Sequence, residues 1–136
     1  MTPTRVYLFT SLKKRMSTVI PVGKKYRIFC KGASEIVLTL CNKIMSHDTC
    51  KILRLSDAER QNASECIDKM AREGLRTLCI SYADLSSAPS TDENAEAPEK
   101  DLTLLAIVGI KGKYVVLITL DNRLSCRCPS AFEKIM

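Results

Sequence analysis

Phe9 stands ahead of three consecutive cations, Lys13, Lys14 and Arg15. Further along, residues 26–30 form an apolar run that meets Lys31, Gly32 and Ala33, then a helix start near Ser34 and Glu35. An exposed ring can stack on a base, and cations can hold phosphates. A lysine and a glycine where a strand runs into a helix add backbone N–H groups that a phosphate accepts from. A base platform and a phosphate cradle are the minimum parts of a nucleotide site.

A chain of 136 residues with 46% hydrophobic content can build one domain with a modest core. Its formal charge of +6 is unevenly spread, because six of the fifteen acids lie between Asp84 and Asp101. The remainder carries a positive excess that suits an anionic partner. Aromatic residues make up 5% and there is no Trp, few stacking platforms for a single-stranded nucleic-acid binder. No nucleic-acid recognition pattern is present, so no nucleic-acid partner is expected. The start of the chain lacks a signal-peptide core, and the apolar runs at 104–110 and 114–120 are far shorter than the ~20 residues of a spanning helix. A soluble, cytoplasmic chain with no membrane span of its own is expected.

The seven cysteines follow no disulfide framework. Cys30, Cys66 and Cys79 lie in apolar patterns, as buried thiols do. Cys126 and Cys128 form a CxC pair, and His47 lies between Cys41 and Cys50. These fall short of a tight four-ligand zinc grouping, so no metal site is expected.

The elements that would position the candidate residues follow from patterning. Residues 5–9, 16–21 and 26–30 read as three strands of a meander, with a turn signal at 21–25. Residues 33–41 read as a helix with Ile36, Val37 and Leu40 on one face, and 42–51 as a polar stretch. Ser56 and Glu59 fit a capping box for a helix carrying Ala63, Cys66, Ile67, Met70 and Ala71 at helical spacing. Gly74 sits where a left-handed C-terminal residue belongs. Residues 75–82 read as a strand with Leu78 and Ile80 inward, and 102–110 as a central strand. Residues 86–100 read as a flexible acidic loop, dispensable to the core. The class is α+β: an antiparallel sheet with helices packed on it.

Four blocks, in order, carry a resemblance: 9–20 (FTSLKKRMSTVI), 31–38 (KGASEIVL), 74–78 (GLRTL) and 102–110 (LTLLAIVGI). Together they resemble the nucleotide-binding domain of P-type ion pumps, and among these the plasma-membrane-type calcium-transporting ATPases. The resemblance implies that Phe9 stacks on adenine, Lys14 and Lys31 face the nucleotide, Arg76 reaches its phosphates, and Gly32 and Ala33 shape the pocket floor. It implies ATP, with Mg²⁺ accompanying it, as ligand. It also implies the remaining pump domains as partners, and ATP-driven calcium export from the cytosolic face of the plasma membrane as the parent function.

Each residue also has a reading without a ligand. Phe9 can be a core aromatic, residues 13–15 a solvated turn, Gly32 a strand end, and Arg76 a cation favoured near a helix C-terminus. The family's phosphorylated aspartate lies in a DKTGT motif and its metal-binding aspartate in a TGDN-type motif, and neither string occurs here. Asp121 and Asn122 follow Thr119 and Leu120 and only faintly echo the second. The chain is therefore expected to bind nucleotide without hydrolysing it, as a partial copy of the domain spanning 1–112. The alternative is an interaction module, or a fragment without function, with the same fold. From Lys113 the sequence leaves the family pattern, whose Asp-Pro hinge is missing. A codon starting with G joined to a GTAAGTAT-like splice donor translates as Gly-Lys-Tyr, the order at 112–114, so 113–136 is expected to be a divergent tail read through from an intron.

Overall fold

The computed structural model describes residues 4–46 and 49–112, together with the backbone of 114–119 and 123–127. Three strands form the meander: β1 (Arg5–Tyr7), β2 (Arg15–Val22) and β3 (Lys25–Ala33). Val22 pairs with Lys25 across a two-residue turn in which Gly23 takes φ +60°. Glycine adopts that conformation without the steric cost of a Cβ, which sets the register of the β2–β3 hairpin. β3 runs further than its apolar stretch predicts, carrying Lys31, Gly32 and Ala33 within the ladder to β6 (Arg76–Leu85).

Helix α1 (Ser34–Leu40) is short, and it buries Val37 and Leu38 while Ile36 and Leu40 are half-buried. The residues expected to be polar loop instead form β4 (Cys41–Met45) and β5 (Ile52–Arg54). Cys41 and Ile44 are buried on either side of exposed Asn42 and Lys43, a short pattern that the surrounding polar residues conceal. Residues 47 and 48, including His47, lie outside the described residues.

Helix α2 (Asp57–Arg72) starts and stops as its sequence predicts. Ser56 accepts a hydrogen bond from the Glu59 amide at 3.2 Å. Glu59 Oε2 is buried without a hydrogen-bond partner, so that oxygen does not close the reciprocal half of the box. At the other end Gly74 (φ +80°) donates to the Ala71 carbonyl and Leu75 to the Met70 carbonyl, the paired bonds of a left-handed helix stop. Arg60 of α2 donates to the carbonyls of Leu38 and Cys41 at 2.7 and 2.6 Å. One guanidinium thus adds a second donor to the Leu38 carbonyl, which already accepts from the Cys41 amide, and ties α2 to the end of α1 and the start of β4.

The sheet order is β1-β2-β3-β6-β7-β4-β5, with β7 (Leu102–Lys111) central and deeply buried. The α+β architecture is the expected one. One pairing, β4 with β7, is parallel, because α1 returns the chain in the same direction. The second half of β7 pairs with β8 (Tyr114–Thr119), which pairs with β9 (Arg123–Arg127). Both of these strands lie in the segment expected to diverge.

Directly opposed residues of antiparallel strands share a face. One face therefore carries Ser17, Val19, Ile28, Cys30, Cys79, Ser81 and Ile107, and α1 and α2 pack against it. This reverses the expectation for β6. Cys79, Ser81 and Ala83 face the helices, whereas Leu78 and Ile80 lie half-buried on the opposite face. Small side chains on the helix side let the layers approach; at Gly109 an added Cβ would lie 2.8 Å from Met70 Sδ.

Burial fixes the chemistry of the cysteines. It pushes the Cys41 thiol up to about 12 and raises those of Cys30 and Cys79 as well. Iodoacetamide on the native chain should therefore modify exposed Cys50 and spare Cys30, Cys41 and Cys79, with peptide mapping as the readout. These groups are protonated in the folded state at pH values where the unfolded chain has ionised. Their contribution to stability is complete below about pH 8.5 and falls as pH rises toward the folded values. A denaturation series at increasing pH checks the sign.

Candidate functional site

The candidate residues come from three places in the chain. β1 ends at Tyr7 and β2 begins at Arg15, and the loop between them carries Phe9 and Lys14. Inside it the Lys14 amide donates to the Thr10 carbonyl at 2.7 Å and the Lys13 amide to Thr10 Oγ1 at 3.1 Å. Lys14 takes φ +55°, turning the chain into β2. Above this turn Phe9 is 59% exposed and Leu12 90% exposed. Phe9 is thus no core aromatic.

Lys31, Gly32 and Ala33 end β3, which pairs here with the start of β2: Arg15 opposes Gly32 and Met16 opposes Lys31. On the other side Lys31 opposes Ile80 and Ala33 opposes Leu78. Arg76 lies two residues before Leu78, opposite Ile110, at the same end of the sheet. Strand alternation puts Lys31 and Arg76 on one face, the face away from the helices. A rise of ~3.3 Å per residue separates their positions by roughly 13 Å along the strands. All six residues therefore belong to one end of the sheet.

Their roles differ from one another in kind. A Cβ on Gly32 would stand 2.5 Å from the Lys14 carbonyl oxygen and 2.5 Å from Arg15 Cβ. Glycine here allows β2 to cross close to β3 at Lys14 and Arg15. The Ala33 amide, one of the backbone N–H groups at the strand-to-helix junction, donates to that same Lys14 carbonyl at 3.0 Å. Its use in the ladder removes it as an anion donor. Helix α1, which follows, has no side-chain cap at its start.

Electrostatics separates these cations from other nearby ones. Arg27, on the face of Lys31, pairs with Asp84 at 2.7 Å and lies 4.9 Å from the Tyr82 ring centre. That hydrogen bond holds the Asp84 carboxyl below its ordinary range. Arg15 pairs with Glu99 at 2.6 Å. Among the described residues the side chains of Lys14, Lys31 and Arg76 have no ion pair or hydrogen bond. An open cleft bounded by Lys43, Arg54, Asp84 and Asp101 lies at the opposite end of the sheet and includes none of the six. Among the described residues no group of three or more His, Cys, Asp or Glu is placed to hold a metal ion.

Sequence reasoning missed Glu99. The 86–100 connection has no helix or strand, in keeping with its composition, yet its end is anchored. The Glu99 side chain is 7% exposed, bonded to Arg15 and accepting from the Ser17 hydroxyl. Nothing in a Pro-, Ala- and acid-rich stretch marks one glutamate as buried.

The family model described as P-type ATPase, cytoplasmic domain N, matches residues 2–113. A probable calcium-transporting ATPase 8, plasma membrane-type, of Oryza sativa subsp. japonica is 41% identical over 112 residues, or 81% of this chain. A putative calcium-transporting ATPase 7, plasma membrane-type, of Arabidopsis thaliana is 44% identical over 109 residues, or 79% of the chain. The plasma membrane calcium-transporting ATPase 4 of Bos taurus is 40% identical over 108 residues, again 79%. The matched regions make up 11%, 10% and 9% of these relatives, so the chain spans a small part of each. The family match takes in β1 to β7, both helices and all six candidate residues, and on that footing the chain belongs to the P-type ATPase cytoplasmic N-domain family.

Proposed function

We propose that this chain is the nucleotide-binding portion of a plasma-membrane-type calcium-transporting P-type ATPase, and that it binds ATP at the end of the sheet bearing Phe9, Lys14, Lys31 and Arg76. One observation supports the reading: an exposed ring and three cations that have no acidic partner among the described residues lie at one sheet end, while neighbouring arginines are paired. The ring suits adenine, and the cations suit a triphosphate. Mg²⁺ would arrive with the nucleotide.

The proposal covers binding and not hydrolysis. Phosphoryl transfer needs an acceptor and metal ligands around it, and no DKTGT string occurs in the 136 residues. In the parent pump, binding here would serve ATP-driven calcium export at the cytosolic side of the plasma membrane, together with the remaining domains. No described helix is long and apolar enough to cross a membrane.

Calorimetric titration of the full 136-residue chain with ATP tests the reading. Saturable binding that weakens as salt screens the cations is expected. Heats no larger than dilution up to millimolar ATP would overturn it.

A further inference from the structure

Glu99 is a carboxylate with 7% side-chain exposure on the helix side of the sheet. A buried charge is costly unless paired and hydrogen-bonded, and Glu99 is both. Oε2 accepts from Arg15 Nε at 2.6 Å, and Oε1 accepts from the Ser17 hydroxyl and lies 3.9 Å from the Cys30 thiol. The segment that delivers it is tied down earlier, where Arg5 donates to the carbonyls of Ser90 and Asp92. The connection from β6 thus reaches the β1 edge and returns beneath β2 and β3 before β7 begins.

Arg15 is the hinge of this arrangement. Its Nε holds Glu99, while Nη1 donates to the Lys13 carbonyl at 3.1 Å. Its neighbour Lys14 accepts from Ala33. The tip of the loop has little packing of its own, since Leu8, Phe9 and Leu12 are 75%, 59% and 90% exposed. Thr10 closes the turn internally on the Lys13 and Lys14 amides, so what orients the loop on the sheet acts at its stem, where the guanidinium joins the loop carbonyl to a buried acid.

We propose that Glu99 is a positioning residue: through Arg15 it fixes the loop so that Phe9 and Lys14 are presented toward Lys31 and Arg76. The benefit to ligand binding rests on the nucleotide reading of that end; the effect on the loop does not. The 86–100 segment then acts as a strap for the loop, and the ionic pair is the buckle.

The test uses the full chain labelled with 4-fluorophenylalanine and followed by fluorine NMR. In the parent, Phe9 is expected to give one sharp resonance that moves on adding ATP. Glu99→Gln keeps the shape and removes the charge. It should broaden or split the Phe9 signal, leave Phe29 unchanged, and weaken ATP about tenfold. Arg15→Lys keeps a charge opposite Glu99 but loses the planar fork to the Lys13 carbonyl, and should disturb Phe9 in the same way. An unchanged Phe9 signal in folded Glu99→Gln would overturn the proposal. Unfolding of both variants would also overturn it, by making the pair a core element and not a loop anchor. A Phe9 response to Glu99→Gln in a chain that ignores ATP would uphold the positioning role and defeat the nucleotide reading.

Discussion

Gly32→Ala should lower both the stability of the chain and its affinity for ATP. The added Cβ would meet the Lys14 carbonyl oxygen at 2.5 Å and Arg15 Cα at 2.6 Å, both backbone atoms of the neighbouring segment. No side-chain rotation relieves such a contact, so β2 must move away from β3. Overpacking of this kind costs about 1–3 kcal/mol. The displaced segment contains Lys14 and the carbonyl that receives the Ala33 amide. Denaturant midpoint and ATP affinity should therefore fall together. Gly23 provides the contrast: an added Cβ there meets nothing within 4 Å, so its substitution costs only the strain of a positive φ. A Gly32→Ala chain as stable as the parent would contradict the close crossing of β2 and β3.

Phe9→Ala should behave differently, losing affinity with stability intact. The ring is 59% exposed and lies outside the core, so its removal leaves no cavity. Base–aromatic stacking is worth ~1–3 kcal/mol, which corresponds to about 5- to 150-fold in the ATP dissociation constant. The melting temperature should stay within error of the parent, and Phe9→Tyr should retain most of the affinity. Equal ATP affinity in Phe9→Ala would remove the ring from the site and favour an interaction module with the same fold.

The ends of α2 were legible because caps are local: Ser56 and Gly74 act on backbone within a few residues. The central place of β7 was legible from a long apolar run. The faces of β6 were not, because Leu78 and Ile80 are larger than Cys79 and Ser81. The sequence alone cannot show that the helix layer selects small residues. β4 and β5 were hidden in a polar segment whose pairing depends on β7, some sixty residues away, as the partnership of Ile44 with Leu104 illustrates.

The candidate site divides in the same way. Phe9, Lys14, Lys31 and Arg76 could be named from residue type and family order, and the register brings their strand ends together. The use of the Ala33 amide by Lys14 could not be foreseen, since it depends on the course of a different strand. Glu99 and Arg15, 84 residues apart, meet only because the 86–100 connection folds back under the sheet.

The most direct test of the central claim is an amide nitrogen–proton NMR spectrum of the full chain, recorded with and without ATP. Dispersed peaks are predicted, with shifts concentrated on the 8–14 loop, Lys31 and Arg76 and with the opposite end of the sheet unmoved. A dispersed spectrum that ATP leaves unchanged, or shifts confined to the cleft near Lys43 and Asp101, would contradict the assignment of the nucleotide to this end.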